Sequence, residues 1–92
     1  MDRMEPTTIE AWVIQRMGML SHSTPERIEL MMEGDGTFSV NTWWLGQPAS
    51  DLFTYLEDAR AEVEKLKKAS HPKARFIRVT QLAVIVGGRR LA

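Results

Sequence analysis

The chain has 92 residues, 43% hydrophobic and 26% charged, and its 12 basic residues balance its 12 acidic ones. That length supports one modest core, the composition is that of a folded globule, and no apolar run approaches the roughly 20 residues that span a bilayer. With no cysteine present, disulfides, thiolate catalysis and sulfur-ligated zinc are excluded.

In chain order, residues 1–8 read as a polar lead-in ending in Pro6-Thr7-Thr8. The start, Met1 to Pro6, lacks the apolar stretch of a secretory signal, so a cytoplasmic location is expected. Ile9 to about Met17 is rich in strand formers (Ile9, Trp12, Val13, Ile14) without helical spacing and predicts a first strand. Gly18 to Pro25 is turn chemistry.

Arg27 to Met32 then alternates, with Ile28, Leu30 and Met32 on one face. Glu33-Gly34-Asp35-Gly36 tolerates positive φ. Thr37 to Trp44 alternates again, with Phe38, Val40, Thr42 and Trp44 on one face, which together predicts a β-hairpin.

Leu45 to Ser50 breaks the strand, and either Pro48 in a first helical turn or Ser50 as a cap starts a helix. Leu52, Tyr55, Leu56, Ala59, Val63 and Leu66 fall at helical spacing, and Glu57–Arg60, Glu62–Lys65 and Glu64–Lys68 pair on the other side. Ser70-His71-Pro72 ends the helix. Ala74 to Val86 reads as a long last strand with a bulge near Thr80-Gln81, followed by Gly87-Gly88 and a short basic tail over 87–92.

The expected architecture is a single α+β domain, a two-layer sandwich of order β-β-β-α-β. It has a four-stranded, mostly antiparallel sheet with one helix on one face, and the last strand lies beside the first or the third. One helix covers one sheet face only, so the other should turn polar. It does not. Trp43 and Trp44 point to opposite faces, Met31 and Met32 split likewise, and so do Trp12 and Ile14 against Val13. Large apolar side chains therefore remain on the uncovered face, either scattered, with Trp43 or Trp44 folded back over a sheet end, or as a patch that a partner or a second copy is expected to cover.

No catalytic set emerges. His22 and His71, the two histidines, both sit in turn sequences, and Ser21-His22-Ser23 places neighbours in a turn where they rarely face one another. Glu33 to Gly36 lacks the ligand alternation and terminal Glu of a calcium loop. Gly87-Gly88 opens no helix and so cradles no phosphate, and Glu57, Asp58, Glu62 and Glu64 read as a solvated helix side. Neither a cofactor nor a metal is expected, and no enzymatic activity.

Charge carries the remaining signal. All acids lie at or before Glu64, whereas Lys65, Lys67, Lys68, Lys73, Arg75, Arg78, Arg89 and Arg90 follow it. The lysines suit the end of a helix, and the arginines around Phe76 offer a basic stripe. Nucleic acid is the alternative partner such a stripe would attract, although the acids of the first 64 residues oppose it.

The run Glu57-Asp58-Ala59-Arg60-Ala61-Glu62 through Leu66, then Ala74-Arg75-Phe76-Ile77-Arg78-Val79-Thr80, resembles the end of many small bacteriophage and prophage accessory proteins, over residues 33–86. The resemblance implies a binding module that blocks a host protein, inhibitors of bacterial defence of the anti-CRISPR kind included. It transfers no functional residue. The expected partner-binding residues are Trp43, Trp44, Leu82, Val84, Val86, Lys73, Arg75 and Arg78. A homodimer is expected, in which the last strand pairs with its copy through Leu82, Val84 and Val86 together with one of the two tryptophans.

Overall fold

The structure is a computed structural model and describes residues 5–15 and 23–79. The elements are β1 (Thr7–Ile14), β2 (Arg27–Met32), β3 (Phe38–Trp44), β4 (Gln47–Phe53), α1 (Leu56–Ala69) and β5 (Phe76–Arg78). The strands form one antiparallel sheet in the order β4-β3-β2-β1-β5. The α+β class and the antiparallel sheet stand as expected. The strand count does not: there are five strands among the described residues, because residues 47–53 form a strand rather than the approach to a helix.

The β2–β3 hairpin follows the period-2 pattern. Ile28 faces Thr42, Leu30 faces Val40 and Met32 faces Phe38. Its turn closes through Glu33 N donating to Thr37 O (2.8 Å), while Asp35 Oδ1 accepts from the Thr37 backbone N (3.0 Å) and hydroxyl (2.6 Å). Gly36, at φ 89°, takes the position a side chain would resist.

A second hairpin follows at once. Leu45 and Gly46 both have positive φ (52° and 86°), the signature of a two-residue type I′ turn, and Trp44 pairs with Gln47 across it. Glu26 holds this turn by accepting from Gly46 N at 3.0 Å. Pro48 is tolerated because β4 is an edge strand, where a missing N–H can face outward.

The helix therefore starts at Leu56, with Tyr55 as its N-cap, and not at Pro48 or Ser50. Glu57 and Asp58 in the first turn and Lys67 and Lys68 in the last complement the helix dipole. Ala59 and Val63 are buried among Trp12, Ile28, Leu30 and Val40, with Leu56 and Leu66 packed at the margin. Leu52 and Tyr55 leave the expected stripe and are 71% and 64% exposed. Of the expected helix pairs, Arg60 instead reaches Glu10 of β1 (2.7 Å), and Glu64 meets Lys67 at 3.7 Å.

The chain runs from β4 at one sheet edge, through α1, to β5 at the other, so the helix lies across the face that carries the core. β5 pairs with β1, with Trp12 facing Arg78 and Ile14 facing Phe76. That placement was one of the two expected. Thr7 and Thr8, assigned to the lead-in, already belong to β1, which bulges between Thr8 and Glu10. The expected bulge at Thr80-Gln81 and the tail over 87–92 lie outside the described residues.

Candidate protein-binding face

Strand register sorts the side chains. The face under α1 carries Trp12, Ile28, Leu30, Val40, Phe38 and Phe53. The opposite, distal face is built of rows running across the sheet. One row is Pro48, Trp43, Arg27, Val13 and Ile77. The next is Ser50, Asn41, Glu29 and Ala11, and the third is Leu52, Ser39, Met31 and Thr8. Among the described residues, no helix or strand lies over this face.

The rows differ in chemistry. The first is aromatic and aliphatic, with Arg27 set between Trp43 and Val13. Arg27 Nε donates to Glu29 Oε2 at 2.7 Å, which spans the first and second rows, and the two side chains are 32% and 18% exposed. Ser39 is buried, donates to Glu33 Oε2, and accepts from Asn41 Nδ2 at 3.1 Å. The middle of the face is therefore polar, with the mainly apolar first row, ending in Ile77 (48% exposed), on one side and Met31 and Leu52 (71% exposed) on the other. At the β3–β4 margin, Asn41, Trp43, Pro48, Ala49 and Ser50 line a depression of about 320 Å³.

Such a surface can bury aromatic and aliphatic groups and offer fixed hydrogen-bond partners beside them, the mixture typical of a protein interface. Among the described residues, no group of three or more His, Asp or Glu side chains could hold a metal ion. His71 is structural: its backbone N donates to Thr24 Oγ1 (2.8 Å), and its Nδ1 accepts from Lys73 N (3.0 Å). His22 lies outside the described residues. No helix among the described residues is long and apolar enough to cross a membrane.

Those of the expected binding residues that are described lie apart. Trp43 is on the distal face, while Trp44 is on the helix side, where its Nε1 donates to Thr42 Oγ1 at 2.6 Å. Arg78 also points to the helix side and bonds Glu10 Oε2 at 3.2 Å, so Glu10 holds both Arg78 and Arg60. Lys73 and Arg75 are exposed beyond the far edge, three strands from Trp43. The basic stripe is further broken by Lys67, whose ammonium sits 4.1 Å above the Trp12 ring. Leu82, Val84 and Val86 lie outside the described residues.

Sequence reasoning missed Arg27, Asn41, Pro48, Ser50 and Leu52 as members of the face. The alternation of β2 and β3 already put Arg27 and Asn41 there, whereas Pro48, Ser50 and Leu52 became visible only with β4. No protein-family model, curated protein or solved structure matches this chain.

Proposed function

We propose that this chain is a non-enzymatic protein-binding module that docks a protein partner on the distal face. The observation that carries this reading is the face itself. Trp43, Val13, Met31, Leu52 and Ile77 share one sheet surface with the Arg27–Glu29 ion pair, and no described element covers them. Apolar side chains left uncovered on one face beside polar groups mark interaction sites. Tryptophan and arginine, side by side here, are the residue types that most often dominate binding energy.

The resemblance to phage accessory proteins extends the proposal to its partner: a bacterial host protein, with a component of a defence system as one candidate. Nucleic acid is disfavoured by the neutralisation of Arg60 and Arg78 through Glu10 and the engagement of Lys67 with Trp12.

The test is affinity capture from a bacterial lysate with wild-type protein and with Trp43→Lys, which replaces the aromatic side chain of the first row with a charge. A protein retained by the wild type and lost with Trp43→Lys supports the reading. Equal capture by both excludes this face. Micromolar binding to DNA or RNA that falls roughly 10³-fold or more between about 50 and 200 mM salt would establish the nucleic-acid alternative instead.

A further inference from the structure

The geometry points to a second copy of the chain as the occupant of the β4 edge, forming a twofold dimer in which β4 pairs antiparallel with itself about Ser50. This deepens the binding-module reading, since it names one partner for the margin of the same face.

In a two-residue hairpin the residues flanking the loop form a hydrogen-bonded pair, and such pairs alternate along the ladder. Starting from Trp44 and Gln47, the register makes Thr42–Ala49, Val40–Asp51 and Phe38–Phe53 the bonded pairs. The N–H and C=O of Ser50 and Leu52, and the C=O of Pro48, therefore point away from β3. No described residue pairs with this outer edge, and β4 is exposed from Gln47 to Leu52. Edge strands are ordinarily blunted by charge and by proline; β4 carries one of each, Asp51 on the helix side and Pro48 at its second position, and both leave the outward N–H groups of Ser50 and Leu52 in place.

Pairing about Ser50 uses these groups with little left over. Ser50 N–H donates to the Ser50 C=O of the other copy, and Leu52 N–H donates to the Pro48 C=O of the other copy; the twofold axis repeats both bonds. Proline serves as an acceptor only, so its missing N–H opposes no donor. Shifting the register by one residue toward the C-terminus would set the two Asp51 carboxylates directly opposite each other, a destabilising arrangement. Centred on Ser50, each Asp51 instead faces Ala49 of the other copy.

Side chains fit the same register. Pro48, Ser50 and Leu52 lie on the distal face, so each Leu52 comes to rest opposite Pro48 of the other copy. That position adjoins the depression lined by Trp43, Pro48 and Ser50. An exposed leucine of β4 and the apolar hollow at the β3–β4 margin are thus exchanged between copies, as an isologous interface requires. The axis runs perpendicular to the sheet, so the two distal faces join into one continuous surface.

Mass by light scattering at about 100 µM tests this with wild type, Leu52→Lys, Ser50→Pro and Ala49→Lys. The inference expects wild type near twice 10.5 kDa and both Leu52→Lys and Ser50→Pro near 10.5 kDa, with unchanged circular dichroism. Ser50→Pro removes the central donors without breaking a β3–β4 hydrogen bond. Ala49→Lys places a lysine opposite Asp51 of the other copy and should tighten the dimer several-fold at low salt, an effect lost near 1 M. A monomeric wild type, a dimer that survives both disrupting variants, or an Ala49→Lys protein that dimerises more weakly would each overturn the proposal. Because Trp43→Lys capture is scored separately, a monomeric wild type leaves the binding-module reading to stand or fall by that experiment.

Discussion

Leu30→Ala and Leu52→Ala together test whether residues 47–53 are an exposed edge strand or the start of a buried helical stripe. Leu30 is fully buried, opposite Val40 and under α1. Truncation removes three carbons, about 2.4 kcal/mol at ~0.8 kcal/mol per methylene, and the cavity left behind brings the cost to about 3–5 kcal/mol. A domain of this size has a total stability on the order of 5–14 kcal/mol, so the loss should lower Tm by on the order of 15–30 °C. Leu52 is 71% exposed, and its truncation should change stability by less than about 0.5 kcal/mol. Urea unfolding, followed by circular dichroism at a concentration where the protein is monomeric, measures both. A Leu52→Ala cost above about 2 kcal/mol, or a Leu30→Ala cost below about 1, would refute the strand assignment and the core it implies.

Other perturbations probe separate features. Leu45 holds a positive φ that favours asparagine or glycine, and its side chain is half-exposed, so Leu45→Asn should stabilise by about 0.5–1 kcal/mol and raise Tm by several degrees. Gly46→Ala meets no neighbouring atom but is strained at φ 86°, and a loss of about 1 kcal/mol on urea unfolding is expected. Glu10→Gln weakens the pairs with Arg60 and Arg78, which are largely exposed; stability should fall by no more than about 1 kcal/mol, and the difference should shrink in 1 M salt. The same variant frees two cations, so a rise in DNA affinity in a shift assay would show how far Glu10 suppresses nucleic-acid binding.

The parts legible in the sequence are those where burial imposes a period. Ile28, Leu30 and Met32 against Phe38, Val40 and Thr42 alternate because one side faces the core, and their register follows from that alternation. Ala59 and Val63 were legible for the same reason at helical spacing. β4 was not. Gln47 to Phe53 is exposed along nearly its whole length, so nothing imposes alternation, and it holds no β-branched residue to suggest a strand. Leu52 and Leu56 happen to lie four apart, which mimics a helix turn across a strand–helix boundary. The decisive turn, Leu45-Gly46, hides its I′ geometry because leucine seldom adopts positive φ.

The distal face was legible only as a surplus. Adjacent large residues such as Trp43-Trp44 and Met31-Met32 must split between faces, which shows that one side is left over without showing what lies beside it. The rows containing Pro48, Ser50 and Leu52 depend on β4 and were hidden with it. Charge along the sequence does not show pairing in space: the register of β5 on β1 carries Arg78 of the basic third to Glu10, which also meets Arg60 of the helix.

Hydrogen exchange footprinting of the complex formed with a captured partner protein tests the central claim most directly. The distal-face reading predicts slowed exchange in residues 39–43 and 48–52 on complex formation, with residues 73–78 unchanged. Protection confined to 73–78, with 39–43 and 48–52 exchanging as in the free protein, would contradict it.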